Sequence, residues 1–122
     1  MTEPAASRSV EADLTAWGKT IVLETVGRAS GRARRVTLGF IEDGHEAILV
    51  AASDDTTQWA LNLVAEPHCH IERDGSRRAG RAVSLPEGER NAVIARLILK
   101  YGTPSERLGR GPAFRVALLA GD

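Results

Sequence analysis

The sequence predicts an α+β domain, an antiparallel β-barrel of about six strands dressed by two or three helices. Short runs rich in β-branched residues recur along the chain, and two of the breaks between them, Asp43-Gly44 and Asp74-Gly75, favour tight hairpin turns. Ala47 to Ala52 is almost continuously apolar, as a strand covered on both faces must be. Two stretches, one after residue 55 and one after residue 87, instead repeat apolar residues at three- and four-residue spacing, the mark of helices laid on a sheet.

The elements follow in order. Residues 1–8 (MTEPAASR) are small and polar and are expected to fray, which leaves residues 9–122 as one domain. Val10, Leu14 and Trp17 then keep helical spacing between a Ser9 cap and a Gly18 stop. Thr20 to Val26 reads as a strand, and Val36, Leu38 and Phe40 alternate with Thr37, Gly39 and Ile41 in a second. After the apolar third strand, Asp55 or Thr56 can cap a helix that carries Trp59, Asn62 and Leu63 on one face and that Pro67 ends. Strands over 68–73 and 76–84 flank the second Asp-Gly turn. Ser84 and Glu87 form a capping box for the longest helix, with Val93, Ile94, Leu97, Ile98 and Tyr101 as its stripe and Gly102 and Pro104 at its end. Ala113 to Ala120 closes as a final strand.

Composition narrows the function classes. A chain of 122 residues with 43% hydrophobic content can bury one core but not two. Sixteen basic residues balance sixteen acidic ones, which argues against general nucleic-acid binding; so does 4% aromatic content, too little for a stacking platform. A single cysteine, Cys69, no apolar run long enough to cross a bilayer and no leader pattern lead to the expectation of a cytoplasmic protein. His68 and His70 share one strand face, but no third ligand accompanies them and no metal is assigned.

The positive charge is local. Residues 27–35 read GRASGRARR, and Arg28, Arg32, Arg34 and Arg35 repel one another unless carboxylates or a bound anion offset them. This stretch is therefore a solvated surface turn or an anion cradle. As a cradle, Gly27 and Gly31 allow positive φ, so that successive N–H groups point at one anion, and Ser30 adds a hydroxyl. A helical Trp such as Trp59 is core or ligand contact, and Asn62, if buried between Leu61 and Leu63, must find partners in a neighbouring backbone or a ring edge. Ser53 either caps the turn after the third strand or donates to a ligand.

The order of these motifs resembles the deazaflavin-dependent nitroreductase family of actinobacteria. The blocks are G-R-x-S-G-x-x-R (Gly27, Arg28, Ser30, Gly31, Arg34), the Ala-Ser step (Ala52, Ser53), W-x-x-N-L-x-A-x-P (Trp59, Asn62, Leu63, Ala65, Pro67) and the late Glu89-Arg90 pair, covering about Ile21 to Leu119. The resemblance implies a split β-barrel that binds the deazaflavin coenzyme F-420 and passes a hydride from its reduced form to nitroaromatics, quinones or activated alkenes. It places Arg28 and Arg34 on the coenzyme's phosphodiester or glutamate tail, and Gly27, Ser30, Gly31, Ser53, Trp59 and Asn62 in the same site. Arg32 and Arg35 fall outside the motif and face solvent or pair with Glu24. Tyr101 falls where relatives place a proton donor, or it is the last apolar residue of its stripe. Small molecules are then the partners, and the chain is a monomer or a homodimer.

Two departures keep alternatives open. Relatives carry aromatic residues where this chain has GTPSERLGRGP, and Asp54-Asp55 stand where a basic or small residue is usual. Asp55 has a use as a helix cap, whereas Asp54 has none visible in the sequence. A barrel that holds haem, a tetrapyrrole or another hydrophobic anion without catalysis, or a relative that binds flavin mononucleotide (FMN), remains the other reading.

Overall fold

The computed structural model describes residues 20–101 and 111–119. In chain order they form β1 (Ile21–Val26), β2 (Ala33–Leu38), β3 (Ile41–Glu42), β4 (Ala47–Ala51), α1 (Gln58–Ala65), β5 (His68–Arg73), β6 (Ser76–Ser84), α2 (Glu87–Tyr101) and β7 (Ala113–Leu118). All seven strands join one sheet in the order β2-β1-β5-β6-β7-β4-β3, and each neighbouring pair is antiparallel. The sheet curls into the half-barrel of an α+β split barrel, with two helices among the described residues. The expected helix over 9–18, the expected fraying of residues 1–8, and Gly102 and Pro104 lie outside the described residues.

Strand β4 explains the architecture. Its five residues are all buried, because alternate side chains serve two cores. Ile48 and Val50 join Ile21, Leu23, Leu63, Ile71, Phe114 and Val116 inside the half-barrel, under α1. Leu49 and Ala51 face the other way and meet Val93, Ile94 and Leu97 of α2. Each large side chain contributes on the order of 1.5–3 kcal/mol by leaving water.

Three local expectations are corrected. The second strand is broken at Gly39 and Phe40, so that β2 and β3 are separate. A Cβ on Gly39 would come within 2.8 Å of the Tyr101 ring, and the Tyr101 hydroxyl and Lys100 engage the backbone of Phe40, with Lys100 Nζ donating to its carbonyl at 2.7 Å. The cap of α1 is Thr57 rather than Asp55 or Thr56, and it makes no side-chain capping bond. Ser84 ends β6 opposite Phe114 instead of capping α2, whose first turn is closed by the Arg90 N–H on the Pro86 carbonyl. The two Asp-Gly turns stand: Gly44 has φ +72°, and Asp74 and Gly75 have φ of +50° and +79°, the left-handed pair that a two-residue hairpin needs.

Candidate functional site

The arginine stretch is the β1–β2 turn, and its own backbone organises it. Gly27 N–H donates to Arg32 O and Gly31 N–H to Gly27 O, both at 2.8 Å, and Arg32 N–H reaches Ser30 Oγ at 3.2 Å. The N–H groups of Gly27 and Gly31 are thus spent inside the turn. Only Gly31, at φ +71°, needs the left-handed region. Gly27 is required by space, because a Cβ there would stand 2.7 Å from Ser30 Oγ and 3.2 Å from Arg32 O.

Helix α1 crosses beneath this turn. Asn62 is 4% exposed and partnered at both ends of its amide: its Oδ1 accepts from Arg28 N–H at 3.2 Å and Arg28 Nη1 at 2.7 Å, and its Nδ2 donates to the buried Thr25 Oγ1 at 3.2 Å. Gln58, one turn earlier, accepts from Arg28 Nη2 at 2.8 Å. Arg28 is therefore fixed by two neutral amide oxygens, which hold the guanidinium without cancelling its charge. Arg34 has no side-chain partner among the described residues; it stands opposite Thr25 in the β1–β2 register, so its side chain leaves the inward face of the sheet.

Between turn and helix lies a groove of about 550 Å³. Gly27, Arg28, Ser30, Arg34, Trp59 and Asn62 line it together, joined by Ala29, Arg35, Val36 and Gln58. Trp59 serves both core and groove: it is half-buried, with its ring centroid 5.9 Å from that of Phe114 at a tilt of 56°. Gln58 and Thr25 were not singled out in the sequence, since neither belongs to a motif and only the fold brings them to Arg28.

Three expected site residues stand apart from the groove lining. Gly31 sits at the outer end of the turn with open space around it. Ser53 Oγ lies 3.3 Å from Thr57 Oγ1, in the turn before α1. Tyr101 Oη accepts from Phe40 N–H at 3.1 Å, at the end of α2 beside the second core. Asp54 does have a structural use: its carboxylate accepts from Thr56 N–H at 2.9 Å, Thr56 Oγ1 at 2.7 Å and Thr57 Oγ1 at 3.2 Å. The Thr56 bonds, more than those of Thr57, hold its carboxyl below the usual range.

Four other arginines are held by carboxylates. On the outer face of the sheet Arg35 contacts Glu24 at 3.1 Å and Glu72 at 2.5 Å, and Arg77 contacts the same two at 2.6 and 3.0 Å, closing a ring of four charges. Arg77, then Arg35, keep the Glu24 carboxyl below its ordinary value. Arg73 pairs with Glu42, and Arg115 with Asp43 at 2.7 Å. His68 is drawn to Glu66 at 2.9 Å and His70 to Glu24 at 3.8 Å, and no cluster of three metal-ligating side chains occurs among the described residues. No helix among them is long and apolar enough to cross a membrane.

The model of the F420H(2)-dependent quinone reductase family matches residues 5–107. A Mycobacterium tuberculosis protein that carries the name "Putative F420H(2)-dependent quinone reductase" is 33% identical over 85 residues, 67% of this chain and 71% of that one. Among solved structures, an F420-H2 dependent reductase superposes with a TM-score of 0.66 at 21% identity, over 80% of this chain and 93% of that one. HutZ, a heme storage protein of Vibrio cholerae, superposes at 0.68 with 19% identity, over 99% and 93%. At these identities the structural likeness is one of fold. The match across most of the chain, with motifs that meet in one groove, assigns the chain to the F420H(2)-dependent quinone reductase family, whose name gives coenzyme F-420 as its cofactor.

Proposed function

We propose that this chain is a deazaflavin-dependent reductase that passes a hydride to a small electron-poor acceptor, a quinone, nitroaromatic or activated alkene, with its cofactor seated in the groove between the arginine turn and α1. The observation that carries the reading is Arg28, a guanidinium fixed at the groove by neutral amides and so left with its charge for an anion. The residues present suit the coenzyme. Arg28 and Arg34 offer forked donors to its phosphodiester or glutamate tail, Ser30 a hydroxyl, and Trp59 an apolar wall for its ring system. When bound, the reduced deazaflavin supplies the hydride. The protein's part is to bind, orient and keep water from the reacting face, which asks for no nucleophile or triad.

The lining residues also weigh against haem. They are Gly, Arg, Ala, Ser, Val, Gln, Trp and Asn, types that hold anions and rings rather than the axial position of an iron. Titration of the purified protein with coenzyme F-420, FMN and haem separates the readings, followed by absorbance assays of reduced coenzyme with a panel of the three acceptor classes. Tight binding of the deazaflavin and its oxidation by at least one class is the expected result. Binding of FMN or haem in its place would overturn the proposal.

A further inference from the structure

We infer that Thr25 and Gln58 are positioning residues for the anionic end of the cofactor, acting through Arg28 and never touching the cofactor's reacting atoms. The inference rests on the proposed function and names the part of the chain that makes the arginine turn selective. Three other arginines of the sheet, Arg35, Arg73 and Arg77, have glutamate partners. Arg28 is treated differently by every group that meets it. Its Nη1 goes to the Asn62 amide, its Nη2 to the Gln58 amide and its backbone N–H to Asn62 again. Those bonds fix both the side chain and the main chain of one residue, with no negative charge in the shell.

The amides would swing freely unless something oriented them in turn. Asn62 can present Oδ1 to Arg28 only while its Nδ2 has another acceptor, and the buried Thr25 hydroxyl is that acceptor, at 3.2 Å. Gln58 can present Oε1 only while its Nε2 is engaged, and the Thr56 carbonyl engages it at 3.1 Å. Thr56 is itself held by Asp54. A continuous chain of hydrogen bonds therefore runs from Asp54 through Thr56 and Gln58 to Arg28, and on through Asn62 to Thr25. Its chemistry is neutral wherever it touches the guanidinium and anionic only at its far end. Such an arrangement orients a fork for an anion and leaves the charge in place, whereas a carboxylate at either amide would consume it.

A double-mutant cycle read by two observables tests this. In the free protein, 15N relaxation of the Arg28 Nε–Hε group should show a rigid side chain. It should become as mobile as that of a solvent-exposed arginine in Thr25→Val and in Gln58→Ala, and regain its order in Thr25→Ser. In calorimetric titration with coenzyme F-420, Thr25→Val and Gln58→Ala should each weaken binding by about tenfold, the scale of a lost hydrogen bond to a charged group. Neither should weaken it further in an Arg28→Ala background. Gln58 is exposed, so its variant does not depend on how Thr25→Val folds. Losses that add to that of Arg28→Ala, or an Arg28 side chain unchanged in both variants, would overturn the positioning role while leaving the proposed function standing. Failure of the wild-type protein to bind coenzyme F-420 would remove the proposed function and this inference with it.

Discussion

Asn62 Oδ1 accepts two hydrogen bonds from Arg28, one from its backbone and one from its guanidinium, across 34 residues of sequence. The same amide decides how much positive charge the groove offers. Asn62→Asp would keep the shape, because the Thr25 hydroxyl can turn from acceptor to donor, but it would set a carboxylate against Arg28. Expected is a fold that melts close to wild type and a cofactor affinity that drops at least as far as in Arg28→Ala. A thermal scan and a calorimetric titration on the same sample check both halves.

Arg34 allows a cleaner separation of binding from stability. With no side-chain partner among the described residues, Arg34→Ala should leave unfolding free energy within about 0.5 kcal/mol of wild type. Cofactor binding should weaken by about 1.5–3 kcal/mol, and by less as salt is raised, since the side chain is exposed. Wild-type affinity in this variant would take Arg34 out of the site.

Much of this was legible beforehand, for reasons that differ residue by residue. Strands β5 and β6 and the Asp74-Gly75 turn were readable to the residue, because alternation and a left-handed turn are both local signals. That Gly27, Arg28, Ser30, Arg34, Trp59 and Asn62 belong together was implied by the resemblance their motifs carry, and the six line one groove. What stayed hidden was partly local and partly distant. Glycine permits positive φ at both Gly27 and Gly31, yet only Gly31 adopts it, and the turn closes on its own carbonyls. Asp54 looked idle because its partners are the hydroxyls of Thr56 and Thr57 and the N–H of Thr56, and a pair of threonines makes no strong motif. The break at Phe40 depends on Lys100 and Tyr101, sixty residues on, and no window of sequence contains both.

The charge ring on the outer face sets the response to acid. Glu24, Glu72 and Glu42 all have carboxyls held below the ordinary 4.5, by Arg77, Arg35 and Arg73 respectively as the leading partners. A carboxyl whose folded value is depressed stabilises the fold above its unfolded value and loses that contribution as pH falls through the folded one. Thermal midpoints should therefore be level above about pH 5 and fall progressively below 4.5. Glu24→Gln should melt below wild type at neutral pH, with the gap closing in acid and shrinking at high salt, as Arg35 and Arg77 are nearly half exposed. A gap that persists unchanged at pH 3 would show that Glu24 acts by packing and not by charge.

Tyr101 is where stability and catalysis part most sharply. Its ring lies against Gly39 so closely that a methyl group there would sit 2.8–2.9 Å from two ring carbons, and its hydroxyl accepts the Phe40 N–H at the break between β2 and β3. Phe40 is fully buried, with Lys100 Nζ 4.0 Å and the Arg73 guanidinium 4.7 Å from its ring centroid, so Tyr101 helps fasten a residue on which two cations also rest. Removing the hydroxyl orphans a backbone donor. Tyr101→Phe should therefore cost about 0.5–1.5 kcal/mol of unfolding free energy. A proton donor at the acceptor predicts the opposite pattern: unaltered melting, intact cofactor affinity and a lower kcat whose pH profile loses its basic limb. We expect the first pattern, with kcat per folded molecule and the pH profile both kept. Urea titration beside a pH–rate series on wild type and Tyr101→Phe distinguishes the two, and a depressed kcat at undiminished stability would assign Tyr101 to proton transfer.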